Sequence, residues 1–575
     1  MTSGPRSLRW CATVLSFALA AFVPAALAPA TVVAQGASAG TGALPRGRTL
    51  YTSGTSASPP SNFNPLSPRA YTGTLGLLYE PLFLYDPVRA KLMPWLAVAG
   101  SWVGPLSYRL SVRSGVDWVK SPSGALAGSL TSRDVAYSIE LAATDPADPY
   151  HSEAGAVEGV SARGGTVTVH FAKSVSYAEW EEYLWHAPVL PEAVWSSMSP
   201  GGAVASPNTS PVSTGPMLLA ATTAKQACYL DNPHWWGGAQ LKLSFSFQYL
   251  CDLVRGSSGK ALSQLLADRV DWSNQLLRGI PNVVDSKANG YGIKTYYSGT
   301  PYMLAANTAW LQMNAARPPM GTVDFRRAVA YALDPAAVAR KVYTGTVQVA
   351  DPTGLLPELR SFVDGEVVKK YGFSHSLATA RRYLELSGYK GKHLVLTVRS
   401  GLSDLANAAS MICKQLGAVG IHVSPHEVPP ATRDAAIADG SYDMVINVGA
   451  GLASTPWSYF DKVYQLPVKT WQGAGVNTER FSSPAAWDLV REAGATPVTH
   501  AHSLDAIYSN LERDFLEQLP EVPLWYTGAW FQANTQRWRD FPSSAGNHDH
   551  YTPVMWPGWL GSTTTVYALA ALKPS

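Results

Sequence analysis

Between Thr322 and Pro335 the apolar residues Phe325, Ala328, Val329, Ala332 and Leu333 recur at helical spacing and make one stripe, with Arg326 and Arg327 off it. Asp334 is placed to cap a following helix, and Pro335 suits a first turn, where no N–H is needed. That second helix carries Val338 and Val342 and should stop at Gly345. The same period recurs in Leu405, Ala409, Ile412 and Leu416, in Leu377, Ala380, Tyr383 and Leu384, in Val135, Ile139 and Leu141 after a capping Thr131 or Ser132, and from Leu504 to Leu519 before Pro520. Period-two alternation marks strands at Tyr108–Val112 and Thr166–Phe171. Further strands are expected at His393–Val398, Gly420–Val423, Tyr442–Ile446 and Val522–Tyr526, and a short helix running into a strand at Thr74–Phe83. Strand, helix, strand from 393 to 446 reads as a βαβ-type unit.

A chain of 575 residues exceeds one core and should fold as two or three domains. A formal net charge of +3 gives no footprint for nucleic acid or an acidic membrane surface. The 19 Trp and 27 Tyr serve large cores or a cavity lined with rigid amphipathic rings. At the N-terminus Arg6 and Arg9 precede an apolar run from Cys11 to Leu27, and Val32-Val33-Ala34 suits a signal peptidase. Cleavage after Ala34 is expected, with a Gly/Ala/Ser-rich lead-in over 35–47 and order from about Thr49. The context before Cys11 is not that of a lipoprotein site. Cys413 reads as a small buried residue. Cys228 and Cys251 lie in strand-like runs and are expected to form a disulfide, the alternative being two buried thiols.

Enzyme chemistry finds little support. No H-E-x-x-H, no G-x-S-x-G and no complete P-loop occurs; Arg255-Gly256-Ser257-Ser258-Gly259-Lys260 has Val254 where a first P-loop Gly would stand and reads as a polar loop. Asn547-His548-Asp549-His550 is awkward as a metal site, because close neighbours on an extended chain point apart. A triad assembled in space stays open, and with it a secreted hydrolase.

Short phrases along the chain supply a different reading. They are Asn62-Phe63-Asn64-Pro65, Leu78-Tyr79-Glu80-Pro81-Leu82, Pro94-Trp95-Leu96-Ala97 with Ser101-Trp102, Thr131-Ser132-Arg133-Asp134-Val135, and Ser213-Thr214-Gly215-Pro216. Then follow Asn232-Pro233-His234-Trp235-Trp236-Gly237-Gly238, Ala261–Asp271 with Asp268 where a Gly is usual, Tyr302–Thr308, the Arg326–Asp334 stretch, Ser376–Tyr389, and Leu416–Val423 with Tyr442-Asp443. In this order the chain resembles the extracellular solute-binding proteins of family 5, the dipeptide, oligopeptide and nickel receptors of bacterial ABC importers. The resemblance implies an α/β, two-lobed periplasmic-binding-protein-like fold (type II, cluster C-like), with one lobe of two subdomains and a ligand cleft between lobes. It implies domain I from 48–77, 212–300 and 528–575, an inserted domain II over 78–211, and domain III over 301–527. It implies an exported, periplasmic or extracellular receptor, without cofactor and expected to be monomeric, that captures a peptide or peptide-like solute for a membrane permease and ATPase. An oligosaccharide or chelated metal such as nickel remains the alternative ligand.

For the site, the resemblance points to Gly73, Thr74, Tyr302, Asn307, Gly449 and Leu452 and to the C-terminal aromatic segment. Trp457 and Tyr459 are the candidate aromatic contacts, the alternative for each being a place in the core. Family receptors for peptides carry an Asp in a "W-x-x-D-[YW]-x-x-P" loop to pair with the peptide's amino group. Anchored on Pro456, that loop places Gly449 at the Trp and Leu452 at the Asp, so a free amine should not be demanded; a shifted alignment would use Asp443 or Asp461 instead.

Overall fold

A computed structural model describes residues 44–575 except 174, 200, 287–289, 450, 472–473, 547–550 and 557. The proposed signal segment and the Asn547–His550 cluster lie outside the described residues. The fold has two lobes joined by two strands. The first lobe carries a seven-stranded sheet in the order Met217–Thr223, Gln226–Asp231, Tyr249–Leu253, Thr49–Ser53, Trp272–Ser273, Gln532–Asn534, Ile293–Lys294. Thr49–Ser53 runs parallel to Tyr249–Leu253 and to Trp272–Ser273. Between the first two sequence segments of this sheet, the chain inserts a four-stranded antiparallel sheet, Ala97–Gly104, Ser107–Val112, Thr166–Phe171 and Val157–Arg163, packed on its own aromatic-rich core.

The second lobe is a six-stranded sheet in the order Gln348–Val349, Glu521–Ala529, Leu304–Met313, Met444–Gly449, Leu394–Arg399, Val423–Val428. Leu394–Arg399 is parallel to both Val423–Val428 and Met444–Gly449. Helices cover both faces. Val323–Ala332 and Ser403–Gly417 pack on one, and Trp457–Tyr464 and Ala501–Gln518 on the other. The strands Leu304–Met313 and Glu521–Ala529 pair antiparallel and carry the chain between lobes. Met303 packs in the first lobe while Ala309 and Leu311 pack in the second. The second strand hands on to Gln532–Asn534 of the first sheet.

Several local expectations gain a physical reason. Asp334 accepts the Ala337 amide at the head of helix Pro335–Lys341, and Gly345 follows with φ +82°. Thr131 and Asp134 form a reciprocal capping box. Cys228 and Cys251 face one another across adjacent antiparallel strands and are joined by a disulfide, and Cys413 is a buried free thiol. Asp268, in the place of a glycine, adopts φ +56° and is held there by Arg46 and Arg537. Arg46 also forks onto Asp271 at 2.6 and 2.9 Å, so Arg46, ahead of Thr49, is already fixed to the first sheet.

Two expectations change. Thr74–Phe83 is no helix but a run of turns entering the strand Phe83–Asp86. Gly73 and Gly76 hold positive φ, and the Leu77 and Leu78 carbonyls are taken by the amides of Met217 and Gly215. Arg326 lies off the apolar stripe, yet it is buried at 2 % exposure. Its guanidinium donates to the carbonyls of Gln518, Leu519 and Met320 at 2.8–3.0 Å, and Arg327 takes that of Glu517 at 2.8 Å. The two arginines close the C-terminal carbonyls of helix Ala501–Gln518, where its dipole favours cations.

One carboxylate gathers several of the bonds that tie the inserted segment to the first lobe. Glu80 accepts from the indole N–H groups of Trp95 (3.0 Å), Trp235 (3.3 Å) and Trp236 (3.0 Å) and from the Thr214 hydroxyl (2.8 Å). Burial pushes its pKa up to about 7 against those four bonds, which pull it down. Glu80→Ala leaves four donors without their acceptor and is expected to cost at least ~3 kcal/mol in urea unfolding. With its folded pKa raised, the group's titration-linked stability is full below about pH 4.5 and lost as pH rises through about 7. Subtracting the pH–stability curve of Glu80→Gln from that of the wild type should therefore leave a fall over this window; a flat difference would show that Glu80 does not titrate there.

Candidate functional site

In both lobes the parallel strands end on the same crevice, the place where open α/β sheets offer loops and helix starts to a ligand. A cavity of about 610 Å³ lies there. From the first lobe, Gly54 and Thr55 follow strand Thr49–Ser53, Arg255 to Ser258 follow Tyr249–Leu253, and Asn274, Gln275 and Arg278 follow Trp272–Ser273. From the second lobe come Gly401 to Leu405, after strand Leu394–Arg399, with Val448 and Tyr343. Both crossing strands contribute, through Asn307 and Thr527, and Trp530 and Trp556 complete the wall.

These walls are fixed from behind. Asn274 is buried and spends its whole amide on the chain, donating to the carbonyls of Trp530 (2.6 Å) and Pro553 (2.9 Å) and accepting the Met555 amide (2.9 Å). The Trp556 indole donates to the Asn274 carbonyl at 3.2 Å. Tyr343 stacks over Trp530 at 10° and donates to Asp404 at 3.2 Å. Burial first, then the Asp404 charge, holds that phenol well above its ordinary pKa, so it stays a donor. The cavity thus offers aromatic rings, amides and hydroxyls, two arginines and one carboxylate.

The lobes touch across the crevice. Arg278 Nη2 donates to Ser403 Oγ at 2.9 Å. At the inserted segment, the amide and hydroxyl of Ser454 donate to Glu182 Oε1 at 3.2 and 3.3 Å. Glu182 is buried and its pKa is pushed up to about 7, chiefly by desolvation and against the pull of His186.

The residues singled out from the sequence fall in three places. Asn307 lines the interlobe cavity. Gly449 and Tyr459 line a second cavity of about 280 Å³ inside the second lobe. The others are packed. Gly73 sits with φ +91° where a Cβ would meet the Tyr229 ring at 2.7 Å, and Thr74 is fully buried. Tyr302, at φ +60°, donates to Asp285 at 2.6 Å. Leu452 packs against the core of the inserted segment. Trp457 is buried and gives its indole N–H to the Val490 carbonyl at 3.0 Å, while the Tyr459 hydroxyl goes to the Thr353 carbonyl at 2.8 Å. Asp443 pairs with Arg317 at 3.2 Å and Asp461 bonds Gln465 at 3.3 Å, and neither lines the interlobe cavity. Trp530 and Trp556, of the C-terminal aromatic segment, line the cavity, and so do Arg255, Arg278, Ser403 and Asp404, which were not singled out. The signal of those four was positional, since their loops follow the carboxyl ends of strands.

Two lobes, two crossing strands and an interlobe cavity define a solute-binding protein of the periplasmic-binding type. The chain belongs to the bacterial extracellular solute-binding proteins, family 5, whose model matches residues 91–469. It is the solute-binding component of an ABC importer, and its family is one of binding proteins found in the periplasm or outside the cell. It is 24% identical over 476 residues to the probable ABC transporter periplasmic-binding protein SapA of Escherichia coli (strain K12), covering 78% of this chain and 81% of that one. It is 30% identical to the periplasmic oligopeptide-binding protein of an oligopeptide ABC transporter from Thermotoga maritima, with a TM-score of 0.86 over 92% of this chain and all of that one. Against the mannohexaose-bound form of that protein the TM-score is 0.82 at 30% identity, over 93% of this chain and all of the other. Among the described residues no helix is long and apolar enough to cross a membrane.

Ser403→Ala removes the interlobe acceptor of Arg278 without touching either lobe's core. It is expected to weaken capture of the native solute by about threefold to tenfold, the size of one polar bond, with thermal stability of the unliganded protein unchanged. Titration calorimetry and melting curves read the two effects separately.

Proposed function

We propose that the protein is an exported, monomeric receptor that captures an extended peptide or peptide-like solute in the interlobe cavity and presents it, closed, to its permease and ATPase. The supporting observation is that one cavity is lined by both lobes and by both crossing strands, so occupancy and lobe closure are one event. Its volume of about 610 Å³ lies within the range of sites that enclose a small ligand. In this reading domain I comprises 48–77, 212–300 and 528–575, the inserted domain II 78–211 and domain III 301–527. Export rests on Arg6, Arg9 and the apolar run to Leu27, and the mature N-terminus should be at or near Gln35 when the protein made in its own host is sequenced.

The loop from Val448 to Trp457 contains no carboxylate, and Asp404, the acid of the cavity, is partly exposed and already accepts from Tyr343. An exposed carboxylate contributes little to binding an ammonium, whereas a buried one stripped of its partner costs much. Acetylating the α-amine of a bound tripeptide should therefore change its affinity by less than ~1 kcal/mol in calorimetry. A loss of ~3 kcal/mol or more would mean that a buried carboxylate anchors the amine after all.

An oligosaccharide is the second reading. Trp530, Trp556 and Tyr343 offer aromatic surface beside amides and hydroxyls, and a relative 30% identical to this chain has been crystallised with mannohexaose. Mass spectrometry of the solute released from natively purified protein separates the two readings.

A further inference from the structure

The second lobe holds a smaller cavity, of about 280 Å³, on the face of its sheet away from helix Ser403–Gly417. Two carboxylates meet on it. Glu479 is 1% exposed and Glu521 3%. A polar chain connects them: Gln312 Nε2 donates to Glu521 Oε2 at 2.8 Å, and the Thr478 hydroxyl lies 3.3 Å from Gln312 Oε1 and 3.4 Å from Glu479 Oε2. Glu479 Oε1 is left buried on this cavity with no hydrogen-bond partner among the described residues. A buried carboxylate oxygen without a partner is costly, and neither acid forms an ion pair there.

Two nearby cations, Arg433 and Arg480, spend their hydrogen bonds elsewhere, although the Arg480 charge still acts on Glu479. Arg433 is bound to Asp434 (2.9 Å), Asn447 (2.6 Å) and the Ile446 carbonyl. Arg480 donates to the carbonyls of Thr478, Ile437 and Ala438. Lys462 is exposed at the edge. The phenols of Tyr442, Tyr459 and Tyr464 are all raised, by burial first and then by nearby acids, Asp514 foremost for Tyr464, so none supplies a charge. The Trp310 and Tyr459 rings, 5.2 Å apart, form an aromatic wall. The volume lies just below that of a typical small-ligand site, so it suits one group rather than a whole oligomer. Val448 lines both this cavity and the interlobe one.

We propose that this cavity is an ammonium-receiving subsite, in which Glu479 and Glu521 bind one protonated primary amine beside the Trp310 and Tyr459 rings. The subsite rests on the reading of the interlobe cavity as the solute's seat only in its source, a lysine-type side chain of that solute or a free small amine. An ammonium would give Glu479 Oε1 the donor it lacks among the described residues, beside two aromatic faces. Burial first, and then mutual repulsion in the case of Glu479, raises both carboxyls, Glu521 to about 8. Raised carboxyls favour the protonated form in the empty cavity, and a bound ammonium would favour the ionised one.

The test uses the full mature chain with methylammonium chloride against sodium chloride at matched ionic strength. Methylammonium should raise the melting temperature of the wild type, and calorimetry in two buffers of different ionisation enthalpy should show that its binding releases protons. In Glu479→Gln, and separately in Glu521→Gln, the response should fall by roughly tenfold or more in apparent affinity while the fold persists. A second arm compares N-acetylated Ala-Lys-Ala with its norleucine counterpart. A lysine preference of roughly tenfold that is lost in Glu479→Gln assigns the amine to the solute. Methylammonium binding without that preference assigns it to a free amine, and binding of methylammonium but of neither peptide keeps the subsite while removing the peptide reading. Absence of both responses, or an undiminished response in both variants, overturns the proposal.

Discussion

Four segments far apart in the chain are held in one place by the Glu80 carboxylate. Trp95 belongs to the inserted segment, Trp235 and Trp236 to the helix entry after strand Gln226–Asp231, and Thr214 to the return from the insertion. Each brings a polar hydrogen that burial would otherwise strand, and one acceptor group satisfies them all. Removing any single donor weakens one bond; removing the acceptor strands four. Such an arrangement sets the angle at which the inserted sheet leaves the first lobe. It thereby sets where Glu182 stands to meet Ser454 of the second lobe.

The crossing strands turn this rigidity into a mechanism. Leu304–Met313 and Glu521–Ala529 are paired along their length, with register irregularities between Ala305 and Asn307 and between Ala309 and Trp310. A paired ribbon resists slip but twists, and an extra residue in one strand is where such a ribbon bends. Asn307 sits at the first irregularity and lines the interlobe cavity, so the bend and the solute wall share a residue. Contact between the lobes is close elsewhere. Gly494 of the second lobe lies where a Cβ would come within 2.9 Å of Ser176 of the inserted segment.

Much of the fold was legible because its signals are local. The Asp334–Pro335 corner, the Thr131 cap and the stripe through Leu405 and Ile412 each state their structure within one turn. What stayed hidden depends on distant partners. Arg326 reads as a solvated charge until the carbonyls of Gln518 and Leu519, almost two hundred residues on, are seen to need a donor. Thr74–Phe83 carries apolar residues at helical intervals, yet its carbonyls are claimed by Gly215 and Met217. The site was the least legible part for the same reason. Phrases such as Tyr79-Glu80 and Trp235-Trp236 are distinctive, and they mark the Glu80 cluster rather than the cavity. The cavity is instead lined by loops of plain composition, Arg255 to Ser258 and Gly401 to Leu405, whose importance comes only from the strands they follow. Asn307 lines that cavity because it lies on a crossing strand, a feature that topology makes visible.

Aromatic residues carried the opposite lesson. Trp457 and Tyr459 lie in a loop-to-helix corner beside the cleft, where a solute contact is a reasonable expectation. Both spend their polar atoms inward, on the carbonyls of Val490 and Thr353, and both rings complete a core with Phe460 and Tyr508. A large ring with its one donor satisfied by backbone is committed to the fold, because turning it outward would strand that donor and open a void. Trp530 and Trp556 differ in that they flank the point where the second crossing strand re-enters the first lobe. Backbone and indole bonds to Asn274 hold that corner in place while the rings remain partly open to the cavity. A ring stays open to the interlobe cavity where the scaffold fixes its edge and leaves its area uncovered, and Trp530 and Trp556 meet that condition where the crossing strand re-enters the first lobe.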